Sequence, residues 1–240
     1  MVKILLGILL IVGVSPSFGQ KKQKITVQAL SDVRVDADLK EWDALNEVAE
    51  EGLWFYQLAQ DASNLYVAVR VEDAFLQNLA TRNGILFSVL ADKKKKDDIQ
   101  FLFPYPDSEV KRAMITEDHD SDEDYKTTLI ARSRGYFVSG FPQVPNGLLS
   151  LENNYGLHAA ARMDDGILYY EAVVPKSVLD YTTPVARVKL AINDGVTTLA
   201  SSNQKNTVRS GGMYGPYRGR PAPRTKNKLT MVVLLETKID

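Results

Sequence analysis

Val33-Arg34-Val35-Asp36-Ala37-Asp38-Leu39-Lys40-Glu41-Trp42, followed nineteen positions later by Asp61-Ala62-Ser63-Asn64-Leu65-Tyr66-Val67-Ala68-Val69-Arg70-Val71-Glu72-Asp73, is the stretch that decides the fold. Its first part is a short polar turn, Asp36 to Lys40, that delivers Glu41 and Trp42. Its second part opens on Asp61-Ala62-Ser63-Asn64, four residues typical of a turn. Leu65, Val67, Val69 and Val71 then alternate with Tyr66, Ala68, Arg70 and Glu72. A period of two is the mark of a half-buried strand.

The same period recurs along the chain. Gly84 to Ala91 is apolar on both faces and suits an inner strand. Ile99, Phe101 and Phe103 alternate around Gln100 and stop at Pro104, which cannot extend a ladder. Asp164-Asp165-Gly166 predicts a tight turn leading into a strand over Ile167 to Val174. Val188, Leu190 and Ile192 make another strand, closed by Asp194-Gly195, and Leu229 to Leu235 reads as the last. Helix is scarce: one or two turns near Pro175 to Asp180, with proline early, where its missing N–H is harmless, and a short turn over Phe75 to Arg82. About ten strands against two helical turns predict an all-β fold, a single antiparallel β-sandwich.

Composition narrows the setting. Lys3, the apolar run Ile4 to Val14 and the small-x-small end Ser17-Phe18-Gly19 have the layout of a secretory signal peptide, residues 1–19, cleaved after Gly19. The run is shorter than the roughly 20 apolar residues a membrane span needs. Residues 20–240 are then expected to form one domain in the periplasm or outside the cell, with no membrane insertion. Without Lys3 the 29 basic residues become 28, against 30 acidic, a balance of −2 that offers nucleic acid no global attraction. There is no cysteine, so no disulfide, thiolate metal site, lipid-anchoring cysteine or cysteine nucleophile.

The turn–Glu–Trp–strand order resembles the opening of the β-sandwich domains similar to carbohydrate-binding module family 9. Asn83 to Val89, the lysine run, Ile99 to Pro104, Ala160 to Glu171 and the glycine–arginine stretch before the last strand resemble a variant of this sandwich in exported bacterial proteins. The pieces together cover most of residues 25–237. The resemblance implies a binding module. Sugar-binding members grip their ligand between two tryptophans, and distant relatives bind haem in electron-transfer complexes. This chain has two tryptophans, Trp42 and Trp54.

Trp42, after Asp38 and Glu41, is expected to pack into the sandwich edge, where burying an indole removes a large apolar area from water. In Leu53-Trp54-Phe55-Tyr56, Trp54 and Tyr56 share one strand face and Leu53 and Phe55 the other. Trp54 and Tyr56 either make a flat platform for a sugar ring, with Arg70 as a hydrogen-bonding neighbour, or pack on a covered face. Glu117 to Asp124 alternates aspartates in the manner of a calcium loop, yet Glu123 stands where such a loop needs glycine and Leu129 where it needs glutamate. A solvated acidic loop is the simpler reading, as is a solvated hairpin tip for Lys93 to Asp98.

Catalysis finds little support. His119 and His158 are the only histidines, and no G-x-S-x-G, H-E-x-x-H, Walker or dinucleotide motif is present. No catalytic residue, metal or cofactor is expected. The reading is an exported, non-catalytic module that recognises a glycan. One alternative is an assembly component that docks on an envelope protein through Ser210 to Arg224, where Tyr214 and Tyr217 stand among arginines. A second is a haem-binding electron-transfer subunit using Met114, Met163, Met213, Met231 or the histidines as axial ligands.

Overall fold

The structure is a computed structural model that describes residues 23–25, 27–31, 33–47, 52–91, 98–113, 123–179, 185–195 and 232–238. Residues 1–19, 210–224 and most of the lysine and acidic runs, with His119, Met114, Met213 and Met231, lie outside the described residues.

The strands in chain order are β1 (Gln23–Lys24), β2 (Gln28–Ala29), β3 (Asn46–Glu47), β4 (Trp54–Gln60), β5 (Asn64–Val71), β6 (Ile85–Val89), β7 (Ile99–Phe103), β8 (Gly135–Ser139), β9 (Gly147–Ser150), β10 (His158–Asp164), β11 (Ile167–Pro175), β12 (Val185–Ile192) and β13 (Val232–Lys238). Among the described residues three α-helices accompany them, α1 (Ala74–Asn83), α2 (Ser108–Ala113) and α3 (Glu123–Ala131), with single 3-10 turns at Leu39–Glu41 and, near the expected place after Pro175, at Lys176–Val178. One sheet runs β1-β13-β12-β6-β7-β8-β9; the other runs β10-β11-β5-β4-β2, with β3 also on β4. All pairs are antiparallel except β1–β13 and β2–β4, which are parallel.

The inner faces of the two sheets share one core. Trp54, Tyr56, Leu58, Val67, Val69, Leu168 and Tyr170 from one sheet meet Ile85, Phe87, Phe101, Tyr136, Val188 and Leu190 from the other. That is a β-sandwich, as the alternating strands require. Ladders between strands remote in sequence join each sheet: Val188 faces Val89 in β12–β6 and Gln23 faces Leu235 in β1–β13, while Leu168 faces Val71 in β11–β5.

All three helices exceed the sequence reading, which expected nothing at α2. The short turn at Phe75 to Arg82 is a ten-residue helix, α1, capped by Asp73, whose side chain accepts from the Leu76 amide at 2.8 Å. Gly84 ends it at φ 93°, where an added Cβ would lie 2.7 Å from the Pro104 carbonyl oxygen. The acidic run ends inside α3, with Glu123 and Asp124 in its first turn, where carboxylates oppose the positive end of the helix dipole. Buried Lys126 on α3 donates to Gln77 Oε1 on α1 at 2.8 Å, and Gln77 Nε2 donates to the carbonyls of Val71 and Gly166.

The outer face of the six-stranded sheet is partly roofed. Trp42 packs on Ala59, Tyr66 and Ala68, with Leu30, Val33, Val35, Leu39 and Leu45 around it. Trp42 is therefore a packing residue, as its place in the turn implied.

Candidate functional site

Where this roof ends, the same outer face is open. Phe55 on β4, Arg70 on β5, Tyr169 on β11 and Arg162 on β10 stand directly opposite one another across four adjacent strands. They form the floor of a groove of about 570 Å³. The wall is the turn segment: Asp38, Leu39, Lys40 and Trp42, then Asp43 to Leu45, with Asp164 at the far side.

Aromatic rings and guanidinium groups alternate along the floor. The Arg70 guanidinium carbon lies 4.3 Å from the Phe55 ring centroid, and that of Arg162 lies 5.7 Å from the Tyr169 centroid. Stacking of this kind fixes the plane of the fork and leaves its edge to donate hydrogen bonds. Each cation also has a carboxylate beside it. Arg70 Nη2 is 3.0 Å from Glu72 Oε1, Arg162 Nη1 is 3.5 Å from Asp164 Oδ2, and Lys40 Nζ is 2.8 Å from Asp38 Oδ2. The Lys40 hydrogen bond lowers the Asp38 carboxyl below its usual range, and the Lys40 ammonium is raised in turn. The lining thus holds three basic residues, Lys40, Arg70 and Arg162, and three acidic ones, Asp38, Asp43 and Asp164. Its formal charge is zero, while its surface is dense in donors and acceptors.

The residues singled out in the sequence divide between the two faces. Arg70 is in the groove. Trp54 and Tyr56 are not: both are fully buried in the core between the sheets, with their ring centroids 6.1 Å apart. The expected stacking platform there is corrected by strand parity, since Phe55 faces out toward the groove while its neighbours face in. Arg70 is accordingly on the opposite face from the two residues it was expected to assist. Phe55, Tyr169, Arg162 and Asp164 were missed. Phe55 was legible as the outward partner of Trp54, but nothing local ties Tyr169 or Arg162 to it.

The remaining candidates lie elsewhere. His158 is exposed on β10, its Nδ1 2.9 Å from the Tyr136 hydroxyl, and Met163 belongs to the core. Among the described residues no cluster of three or more histidine or acidic side chains is placed to hold a metal ion, and no helix is long and apolar enough to cross a membrane.

No protein-family model and no curated protein sequence matches the chain. In fold it is similar to carbohydrate-binding module family 9. A module of that family from Caldicellulosiruptor kristjanssonii, solved in complex with glucose, shares 11% identity at a TM-score of 0.38, over 72% of this chain and 80% of that one. A structure described in the same words but in complex with cellotriose gives 10% identity and the same TM-score over 72% and 78%. Likeness at this level names no ligand.

Proposed function

We propose that this chain is an exported, non-catalytic module that binds a glycan in the groove on the outer face of its six-stranded sheet. The observation that carries the reading is the floor row Phe55–Arg70–Tyr169–Arg162, with a carboxylate beside each guanidinium. A sugar offers a weakly polar ring face and a rim of hydroxyls that donate and accept at once. Aromatic rings suit the face, and paired forks and carboxylates suit vicinal hydroxyls. Charge balance within the lining favours an uncharged polar ligand over a strong anion, which would meet Asp38, Asp43 and Asp164 as well as the cations. Arg70 stays in the site, joined by Tyr169, Arg162 and Phe55; Trp54 and Tyr56 leave it. A location in the periplasm or outside the cell is part of the proposal and follows from the leader-like residues 1–19.

Titration calorimetry with neutral mono- and oligosaccharides, with and without calcium, tests the reading. Saturable heat that is lost in Tyr169→Ala and Arg162→Ala, at unchanged thermal midpoint, is the expected result. Absence of heat with every saccharide, or binding that survives both substitutions, overturns it.

A further inference from the structure

One acidic side chain under the groove wall is used by nothing above. Glu171 lies on β11 two residues beyond Tyr169, on the same outer face, and is fully buried. Its Oε2 accepts hydrogen bonds from the backbone N–H of Asp36 at 3.0 Å and of Ala37 at 2.8 Å; its Oε1 accepts from Trp42 Nε1 at 2.7 Å. All three donors belong to one short stretch of chain that is remote in sequence. Ala37 is left-handed, at φ 63°, a conformation that residues with a Cβ seldom adopt. Successive amides ending in a left-handed residue form a concave nest that holds an anion. Here the anion is supplied by the protein.

Apart from the packing of Trp42 and Leu39 on the sheet, the other hydrogen bonds of this stretch are weaker or local. Arg162 Nη2 reaches the Ala37 carbonyl oxygen at 3.4 Å, and the bonds from the Asp38 amide to Asp36 and from the Trp42 amide to Leu39 stay within the turn. Around the carboxylate stand Glu41 on the turn and, in the neighbouring register positions, Gln57 on β4, Ala68 on β5 and Ala160 on β10. None of these replaces it as an acceptor for the nest. A strand residue that only needed to pack beneath Trp42 would be apolar, because burying an unpaired charge is costly. A carboxylate at this position is explained by the three donors it gathers.

We propose that Glu171 is a positioning residue for the groove: its buried carboxylate locks the Asp36–Trp42 segment in the shape that forms the wall, without touching the ligand. The ligand half of this proposal rests on the glycan reading, whereas the lock itself does not. Glu171→Gln is the informative variant, because it keeps size and shape but places an amide N–H against a set of donors. An unsatisfied buried donor shifts a local equilibrium by about tenfold.

Amide hydrogen exchange over residues 36–42, compared with the central strands β5 and β6, reads the lock with no ligand present. Exchange at 36–42 is expected to rise about tenfold in Glu171→Gln while the two strands keep their protection. The indole N–H proton resonance of Trp42, assigned by its loss in Trp42→Phe, should move in the same variant. Affinity for the saccharide that binds the native groove should fall by a similar factor. Unchanged exchange at 36–42 overturns the proposal, and so does an equal rise throughout the sheets, which would make Glu171 an ordinary core residue. Trp42→Phe, which removes one donor and keeps most of the packing, is the second variant and should loosen 36–41 less. A native protein that binds no saccharide would defeat the glycan reading while the exchange measurement still decides the role of Glu171.

Discussion

Arg70 stands opposite Phe55 in the β4–β5 ladder with its guanidinium carbon 4.3 Å from the ring centroid, and its Nη2 reaches Glu72 at 3.0 Å. The fork is held from below by the ring and from the side by the carboxylate, so its plane is set before any ligand arrives. Preorganised groups of this kind bind with less loss of side-chain freedom.

Arg70→Lys is therefore expected to fail almost as badly as Arg70→Ala. Lysine restores the charge but neither the plane nor the two-pronged donor. Calorimetry on the saccharide that binds the native groove should show both variants weakened by about tenfold or more, since a lost hydrogen bond to a charged group is worth about 1.5–3 kcal/mol. The side chain is half-exposed, and thermal midpoints should barely change.

Trp54→Ala should instead act on stability. Removal of a fully buried indole leaves a cavity between the sheets, at a cost of roughly 3–5 kcal/mol. Urea denaturation should show a much lower midpoint, and Trp54→Phe should recover part of the loss. A Trp54→Ala protein with native stability and lost sugar binding would return Trp54 to the site.

Alkaline pH should unfold the protein through its core tyrosines. Burial pushes the Tyr56 phenol up to about 12, and burial also raises Tyr136 and Tyr170. A phenol raised in the folded state contributes stability that is fully present below the unfolded value of about 10 and is lost as pH rises through the folded one. Urea midpoints measured from pH 9 to 12 should fall steadily, and less steeply in Tyr56→Phe.

Asp61 governs the opposite end of the scale. Burial favours its neutral form, but the Tyr66 hydroxyl, the Ser63 amide and the side chain and amide of Asn64 outweigh that effect and hold the carboxyl at about 2. A depressed carboxyl contributes stability above its unfolded value, and that contribution is lost as pH falls through the folded one. Between about pH 4 and pH 2 the native protein should lose stability that Asp61→Asn has already lost, so the two denaturation curves should converge on acidification.

Much of this architecture is legible in the sequence because strand period is a local property. Leu65 to Val71 and Ile99 to Phe103 alternate within themselves, and the strand Ile167 to Val174 is announced by the Asp164-Asp165-Gly166 turn, which appears with positive φ at Asp165 and Gly166. Helix α3 was hidden by its neighbours: acidic residues that suit a loop also suit a helix N-terminus, and of its three buried residues only Tyr125 and Leu129 are apolar, the third being Lys126. The groove was hidden for a different reason. Parity shows that Trp54 and Phe55 face opposite ways, but which way is inward depends on the second sheet. Glu171 is visible as a lone charge in Tyr169-Tyr170-Glu171-Ala172-Val173; its partners in the Asp36–Trp42 turn are not, because that contact exists only after β11 has paired with β5.

That pairing, with its counterpart β12–β6, also sets a schedule. Hairpins such as β4–β5, β6–β7 and β10–β11 can form as soon as their own residues are available. The β11–β5 and β12–β6 ladders join residues nearly a hundred positions apart, 71 with 168 and 89 with 188, and long-range strand pairing of this kind is slow. The groove spans β4, β5, β11 and β10, so its two halves belong to separate hairpins that meet only at this step. Recovery of ligand binding during refolding should therefore lag behind hairpin formation, and a ribosome-bound chain ending before β10 would carry Phe55 and Arg70 without Arg162 on β10 and Tyr169 on β11.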